Sequence, residues 1–390
     1  MRKSRSLILP IILSLILWAN FSNAESRHAA PHEYASVVEV AILLDTSNSM
    51  DGLISQAKSQ LWTIVQQFAL AEKDDRAPRL RVALFEYGNT NLPASEGYIR
   101  QVVPLTDDLD VLSEALFALT TNGGDEYCGQ VIDEAISRLD WSDLRSAYRT
   151  IFIAGNEPFT QGSVDYKKAC KRAAKQRIVV NTIHCGHHRE GVEGHWQDGA
   201  RLGRGEFFNI DQDRAVVHIP CPQDNEIMRL NVELNETYLW YGSADKRDYF
   251  CNNQKAQDSN ASGLSSSVAV SRSVTKSGKA YNNSQRDLVD ALAEDEEILQ
   301  AVPENELPDA MQAMTPAERT AYLKEMAARR AELKQKIGEQ AAAREVYLAA
   351  EREKMAAETG AETLGDAVVT AIRKQLLAAG FEFVNSGDTQ

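Results

Sequence analysis

The sequence predicts an α/β fold, a doubly wound, mostly parallel six-stranded sheet followed by an α-helical C-terminal region. Three observations carry that prediction. Between Val37 and about Gly242, short apolar β-branched runs alternate with amphipathic stretches, the pattern of strands joined by crossover helices. The first run, Val37 to Leu44, is apolar on both faces, as a central strand covered by helices on each side must be. From Pro303 onward the composition turns to Ala, Glu, Lys and Arg.

Taken in order, the first segment is Leu7 to Phe21, almost purely apolar, preceded by Arg2, Lys3 and Arg5 and followed by the small residues Ser22-Asn23-Ala24. Residues 1–24 therefore read as a secretory signal peptide. The apolar core is short for a bilayer span and carries Pro10, so the mature chain is expected to have no membrane span and to be exported, either periplasmic or secreted. Strands are expected at 37–44, 80–87, 97–103, 150–154, 177–184 and 206–210. Helices with apolar residues three and four apart are expected at Ile54 to Lys73, Leu109 to Leu119, Gly129 to Leu139 and Val164 to Gln176. The more polar 97–103 follows a short turn and reads as an antiparallel edge strand.

Residues 35–242 make one domain on this reading, and 243–302 is a Ser/Asn/Ala-rich linker or a set of weak helices. Residues 303–390 form a helical C-terminal region. Thr315-Pro316-Ala317-Glu318 places a capping hydroxyl, a first-turn Pro and a capping-box Glu in order, so a long helix starts there. Leu323, Met326, Leu333, Ile337 and Tyr347 fall near helical spacing, but Arg330, Gln340 and Arg344 interrupt the stripe of a strict coiled coil. Gly360 ends that helix, and a second, Glu362 to Ala379, closes on Gly380.

The chain has 390 residues, with 42 Lys+Arg against 56 Asp+Glu and a net charge of −14. Without residues 1–24 it keeps 39 basic and 56 acidic residues, a net of −17, which argues against nucleic acid or an anionic membrane as partner. Five cysteines, Cys128, Cys170, Cys185, Cys221 and Cys251, leave at least one thiol unpaired within the chain. Cys128 is expected to pair with Cys185, or with Cys170 as the rival.

The first strand ends in Asp45-Thr46-Ser47-Asn48-Ser49-Met50, directly before a helix. Ligands of open α/β sheets bind at the carboxyl ends of central strands. One carboxylate and two hydroxyls at alternate positions suit a hard cation, while the same residues also suit simple capping of the following helix. With Gly123-Gly124 downstream and a strand ending in Glu157-Pro158, this order resembles the von Willebrand factor type A domain over about residues 35–242. The resemblance implies a metal-ion-dependent adhesion site of five ligands on three loops, with Asp45, Ser47 and Ser49 matching the first loop. The other loops depart from the pattern. Asp125 stands as the substitute donor where the family places a Thr, and Asn156 stands where it places an Asp. The implied ion is Mg²⁺, or Mn²⁺ or Ca²⁺ in its place.

His184-Cys185-Gly186-His187-His188, with His195 beyond, offers a competing zinc reading, although no second His or Cys pair follows at finger-like spacing. A nucleophile elbow, a phosphate loop and a His-Glu-x-x-His helix are all missing from the sequence. The expected function is therefore a non-enzymatic protein-binding module that uses a divalent cation to hold an acidic group of a protein partner. The alternative is a scaffold with a vestigial metal site, self-associating through its C-terminal helices.

Overall fold

Nine residues, Val37–Asp45, form β1, and all nine are buried. They lie in the middle of the sheet of a computed structural model that describes residues 36–74, 76–210, 219–359 and 364–383. The signal-peptide reading of 1–24 and the helix end expected at Gly360 fall outside the described residues.

After β1 come α1 (Ile54–Ala69), β2 (Ala71–Glu72), β3 (Arg79–Tyr87), β4 (Ile99–Thr106), α2 (Leu109–Ala118), α3 (Cys128–Arg138) and β5 (Tyr148–Gly155). Then follow α4 (Tyr166–Lys175), β6 (Ile178–Cys185), α5 (His188–Glu193), α6 (Trp196–Leu202) and β7 (Arg204–Ile210). The six long strands form one sheet in the order β4-β3-β1-β5-β6-β7. Every pairing is parallel except β3 with β4, so the polar edge strand is antiparallel as its sequence suggests.

Alternation along β1 sends Val38, Val40, Ile42 and Leu44 to one face and Ala41 and Leu43 to the other. The first face packs on α1 through Trp62, Val65 and Phe68. The second packs on α3 and α4 through Val131, Ile132, Ala169 and Ala173. Doubly wound geometry places the loops after β1 and β5 side by side at the carboxyl edge, because these strands are in register from Val38↔Tyr148 to Leu44↔Ala154.

The five cysteines are free thiols. Cys128 belongs to the second face and Cys185 to the first, so the sheet stands between the pair expected from sequence, and that bond is not formed. Cys170 shares the second face with Cys128, and both are likewise free.

The remainder of the chain is helical: α7 (Asp224–Asn235), α8 (Ala244–Leu264), α9 (Ser266–Ser277), α10 (Leu288–Glu294), α11 (Ile298–Ala301), α12 (Asp309–Gln312), α13 (Pro316–Thr359) and α14 (Leu364–Ala378), then β8 (Glu382–Phe383). The stretch expected as a linker or weak helices holds α8 and α9, which pack on each other and on α1, α2 and α7. Its polar residues are buried against one another. Arg272 of α9 bonds Asp110 of α2 (2.8 Å) and Asp258 of α8 (2.5 Å), and Lys276 bonds Asp258 (2.8 Å). Composition made this segment look like a linker because its interior contacts are ionic.

The α13 helix starts as its sequence predicts, with the Thr315 amide and hydroxyl both donating to Glu318 Oε2 at 2.7 Å. The apolar residues of its first half pack within the chain. Leu333 and Ile337 join the core of the first sheet face, while Leu323 and Met326 join a smaller cluster with Leu239, Leu288 and Met311. Two of the three interruptions are themselves docking residues: buried Arg330 bonds Asp287 (2.5 Å) and Asp290 (2.8 Å), and Arg344 bonds Asp224 of α7 (2.7 Å).

The α14 helix returns to the sheet. Val368, Ile372 and Leu376 are buried in the first-face core. Gln375 accepts the Tyr148 hydroxyl (2.7 Å) and donates to Asn181 Oδ1 (2.8 Å). The chain turns at Gly380, whose φ of 81° is the left-handed conformation expected there, buries Phe381, and pairs β8 antiparallel to β2. Among the described residues, no helix is long and apolar enough to cross a membrane.

Candidate functional site

Asp45 is the last residue of β1 and is fully buried, yet its carboxylate is not fully bonded. Oδ1 accepts the Ser47 amide at 2.7 Å, whereas Oδ2 has no hydrogen-bond partner. A buried carboxylate oxygen without a donor is costly, and such an atom marks a place where another group fits. The Ser47 and Ser49 hydroxyls lie 2.7 Å apart, and Ser49 Oγ donates to Asn156 Oδ1 at 3.0 Å. Four of the five residues expected from sequence, Asp45, Ser47, Ser49 and Asn156, are thus brought together.

The fifth is not. Asp125 is exposed and its Oδ2 accepts the Tyr127 hydroxyl at 3.1 Å. Its place beside Asp45 is taken by the next residue, Glu126, which is buried. The second loop is held by Gln161, whose Oε1 accepts the Glu126 amide (3.1 Å) while its Nε2 donates to Glu157 (3.2 Å). Adjacent side chains of an irregular segment point in different directions, so only one of two neighbouring acids can turn inward.

Two glycines make room for this arrangement. At Gly88, with φ 79°, a Cβ would come within 2.8 Å of both Asp45 Oδ1 and Glu126 Cγ. At Gly155, a Cβ would meet the Tyr87 hydroxyl at 2.5 Å and Asp45 Oδ2 at 3.1 Å. Asp45 Oδ1 thus faces the end of β3 and Glu126, and Oδ2 faces the end of β5.

Burial pushes the Asp45 carboxyl up to about 7, against the pull of the Ser47 amide and hydroxyl and the Asn156 amide, with Glu157 adding to the rise. Burial also pushes Glu126 up to about 8, helped by the charges of Asp45, Glu157 and Asp125 and opposed by the Ser47 hydroxyl. Two buried carboxylates that each resist ionising are suited to sharing a proton or a cation.

The histidines do not converge. His184 is buried on β6, with Nδ1 3.0 Å from Asn209 Oδ1 and Nε2 3.2 Å from the Asn156 carbonyl, and so braces the loop that carries Asn156. His187, His188 and His195 are exposed; His188 lies against Phe207 and His195 stacks on Tyr166. Among the described residues, no three of His, Cys, Asp and Glu gather as a ready-made metal-binding group. Any ion held at Asp45 and Glu126 would need hydroxyl and carboxamide oxygens to complete its shell. The present residues meet that need: two carboxylates, two hydroxyls and one carboxamide are the oxygen donors that hard divalent cations take.

Residues 39–194, from within β1 through α5, match the family model of the von Willebrand factor type A domain. This part of the chain is a von Willebrand factor type A domain. Such domains are commonly protein-interaction modules and are generally non-enzymatic. No curated protein matches the chain. Among solved structures, it is similar to the conserved hypothetical protein BatB from Bacteroides thetaiotaomicron, at 17% identity over 57% of this chain and 99% of that one, TM-score 0.35. The VWA domain of SpRpn10 shares 18% identity over 46% and 91%, TM-score 0.36. Proximal thread matrix protein 1 from the mussel byssus, solved with a zinc-occupied MIDAS motif, shares 13% over 46% and 43%, TM-score 0.33.

Proposed function

We propose that the chain is a non-enzymatic, cation-dependent protein-binding module. A divalent cation of the Mg²⁺, Mn²⁺ or Ca²⁺ class would be held at the carboxyl edge of the sheet by Asp45, Ser47, Ser49, Glu126 and Asn156. The observation that carries this reading is Asp45 Oδ2, fully buried and without a hydrogen-bond partner, in a carboxylate that shares the Gly88 gap with the equally unusual buried Glu126.

When bound, the ion supplies neutralising charge and a coordination position open to a partner's oxygen. The protein's own residues do the remaining work. Asp45 and Glu126 would supply the negative charge, the two serine hydroxyls and the Asn156 carboxamide would add neutral oxygens, and Ser49 ties the first loop to the third. Gln161 ties the second loop to the third through the Glu126 amide. The leader-like residues 1–24 support export as the setting. The packing of Leu323, Met326, Leu333 and Ile337 within the chain supports α13 as part of the same body as the domain.

Calorimetric titration of Mg²⁺ and Mn²⁺ into chelator-treated protein tests the reading. Saturable binding is expected in the native chain and in Asp125→Ala, and loss of at least roughly tenfold in affinity is expected in Asp45→Ala and Glu126→Ala. Binding that survives Asp45→Ala, or is missing in the native protein, would sink it.

A further inference from the structure

The solvent side of α4 carries charge of one sign only. From Tyr166 to Arg177 the chain has six Lys and Arg and no acid, on a protein whose net charge is −14. On α7 and α13, by contrast, exposed bases pair along their own helix, Arg229 with Glu226 and Glu233 and Lys336 with Glu332. On α4, Arg172 bonds Asp133 of α3 and Lys167 lies over the Tyr166 ring. Lys168, Lys171 and Lys175 are exposed and have no ion pair among the described residues. They fall three and four apart, on one stripe about 10 Å long. Lys175 in the last turn suits the helix dipole, but Lys167 and Lys168 sit in the first turn, where positive charge is unfavourable. The helix itself gains nothing from them.

A surface of the opposite sign lies elsewhere on the same chain. Between Arg286 and Arg319 there are ten Asp and Glu and no Lys or Arg. Arg330 takes Asp287 and Asp290, Arg247 takes Asp309, and Arg319 takes Glu304. Asp295, Glu296 and Glu297, in the turn between α10 and α11, are exposed and have no ion pair among the described residues. The two surfaces cannot meet within one chain, because the sheet stands between them. The α4 helix packs on the second sheet face. The acidic turn belongs with the helices of the first: α10 packs on α13, and Arg286, just before α10, bonds Asp108 at the cap of α2.

We propose that copies of this chain associate head to tail, with Lys168, Lys171 and Lys175 of one copy docked on Asp295, Glu296 and Glu297 of the next. Complementary charge steers two such patches together and fixes their register. At physiological salt a screening length of about 8 Å keeps the like net charges of the two bodies from outweighing the local contact. Because the two surfaces differ, the contact is heterologous, and it continues into a ring or an open row of copies instead of stopping at a two-fold pair. Asp45, Ser47, Ser49, Glu126 and Asn156 belong to neither surface, so association does not depend on the candidate cation site.

The test is sedimentation velocity on the full chain at about 0.1 mM, in about 50 mM and about 500 mM NaCl. Species larger than one chain are expected at the lower salt, with association roughly tenfold weaker at the higher. Lys168→Glu with Lys171→Glu and Lys175→Glu should be monomeric alone, and so should Asp295→Lys with Glu296→Lys and Glu297→Lys. Mixed in equal amounts, the two charge-reversed proteins should associate again, because each keeps the surface that the other has lost. Lys168→Gln with Lys171→Gln and Lys175→Gln should likewise be monomeric, and serves if the reversed α4 does not fold. A native chain that is monomeric at the lower salt overturns the inference, including one whose α4 lysines hold a Glu-rich peptide or an anionic vesicle instead. Association that survives either reversal overturns it too, as does a mixture that stays monomeric.

Discussion

At the scale of single residues, the pair Asp45 and Glu126 sets a pH dependence opposite to that of most carboxylates. Each is raised in the folded protein, from ordinary values of 3.8 and 4.5 to about 7 and about 8, so the native state binds more protons than the unfolded chain across that window. Their contribution to stability is complete below about pH 4 and is lost as the pH rises through 7 to 8. Denaturant melts of chelator-treated protein should show this decline, which Asp45→Asn with Glu126→Gln should flatten and saturating Mn²⁺ should remove. Gly88→Ala should cost about 1–2 kcal/mol from its left-handed backbone and should weaken Mn²⁺ binding, because the new Cβ displaces both carboxylates. Calorimetry on a variant shown to be folded checks the second effect. Asp45, Ser47 and Ser49 are legible in the sequence because they fall at alternate positions directly after an apolar strand. Glu126 is not legible there, since the choice between two adjacent acids is made by Gln161, 35 residues away.

At the scale of elements, the helices after β7 are anchored by buried ions as much as by apolar stripes. Arg330 bonds Asp287, Asp290 and the Thr237 hydroxyl and carbonyl, and its guanidinium lies 4.0 Å from the centre of the Tyr238 ring. Removing one partner of a buried ion pair leaves the other uncompensated, so Arg330→Ala should destabilise the chain by about 3–5 kcal/mol. Exposed Arg229, which bonds Glu226 and Glu233 on its own helix, should give no measurable change when replaced by Ala. Chemical denaturation of the two variants side by side checks the contrast. These same ions explain which elements composition could reveal. Periodicity located the sheet and its crossover helices because their inner faces are apolar, whereas α9 buries Arg272 and Lys276, which any hydropathy pattern assigns to solvent.

At the scale of the whole molecule, the last described elements complete the first ones. The strands and the antiparallel edge were legible from apolar runs and turn signals, but the return of the chain to its own sheet was not, because α14 reads as any amphipathic helix does. Val368, Ile372, Leu376 and Phe381 are buried against that face, each worth about 1.5–3 kcal/mol, a sum of the order of the usual margin of about 5–15 kcal/mol. A chain ending at Thr359 should therefore melt far lower and bind an apolar dye, and thermal scans of the two lengths would show it. The same topology orders events during synthesis. All six strands leave the ribosome with β7, whereas the share of their cover that α14 supplies, and the β2–β8 pairing, arrive only with residues 364–383. At about 5–20 residues per second that interval is roughly 10–35 s, during which the part of the apolar face that α14 covers stays open to any chaperone that reaches it first.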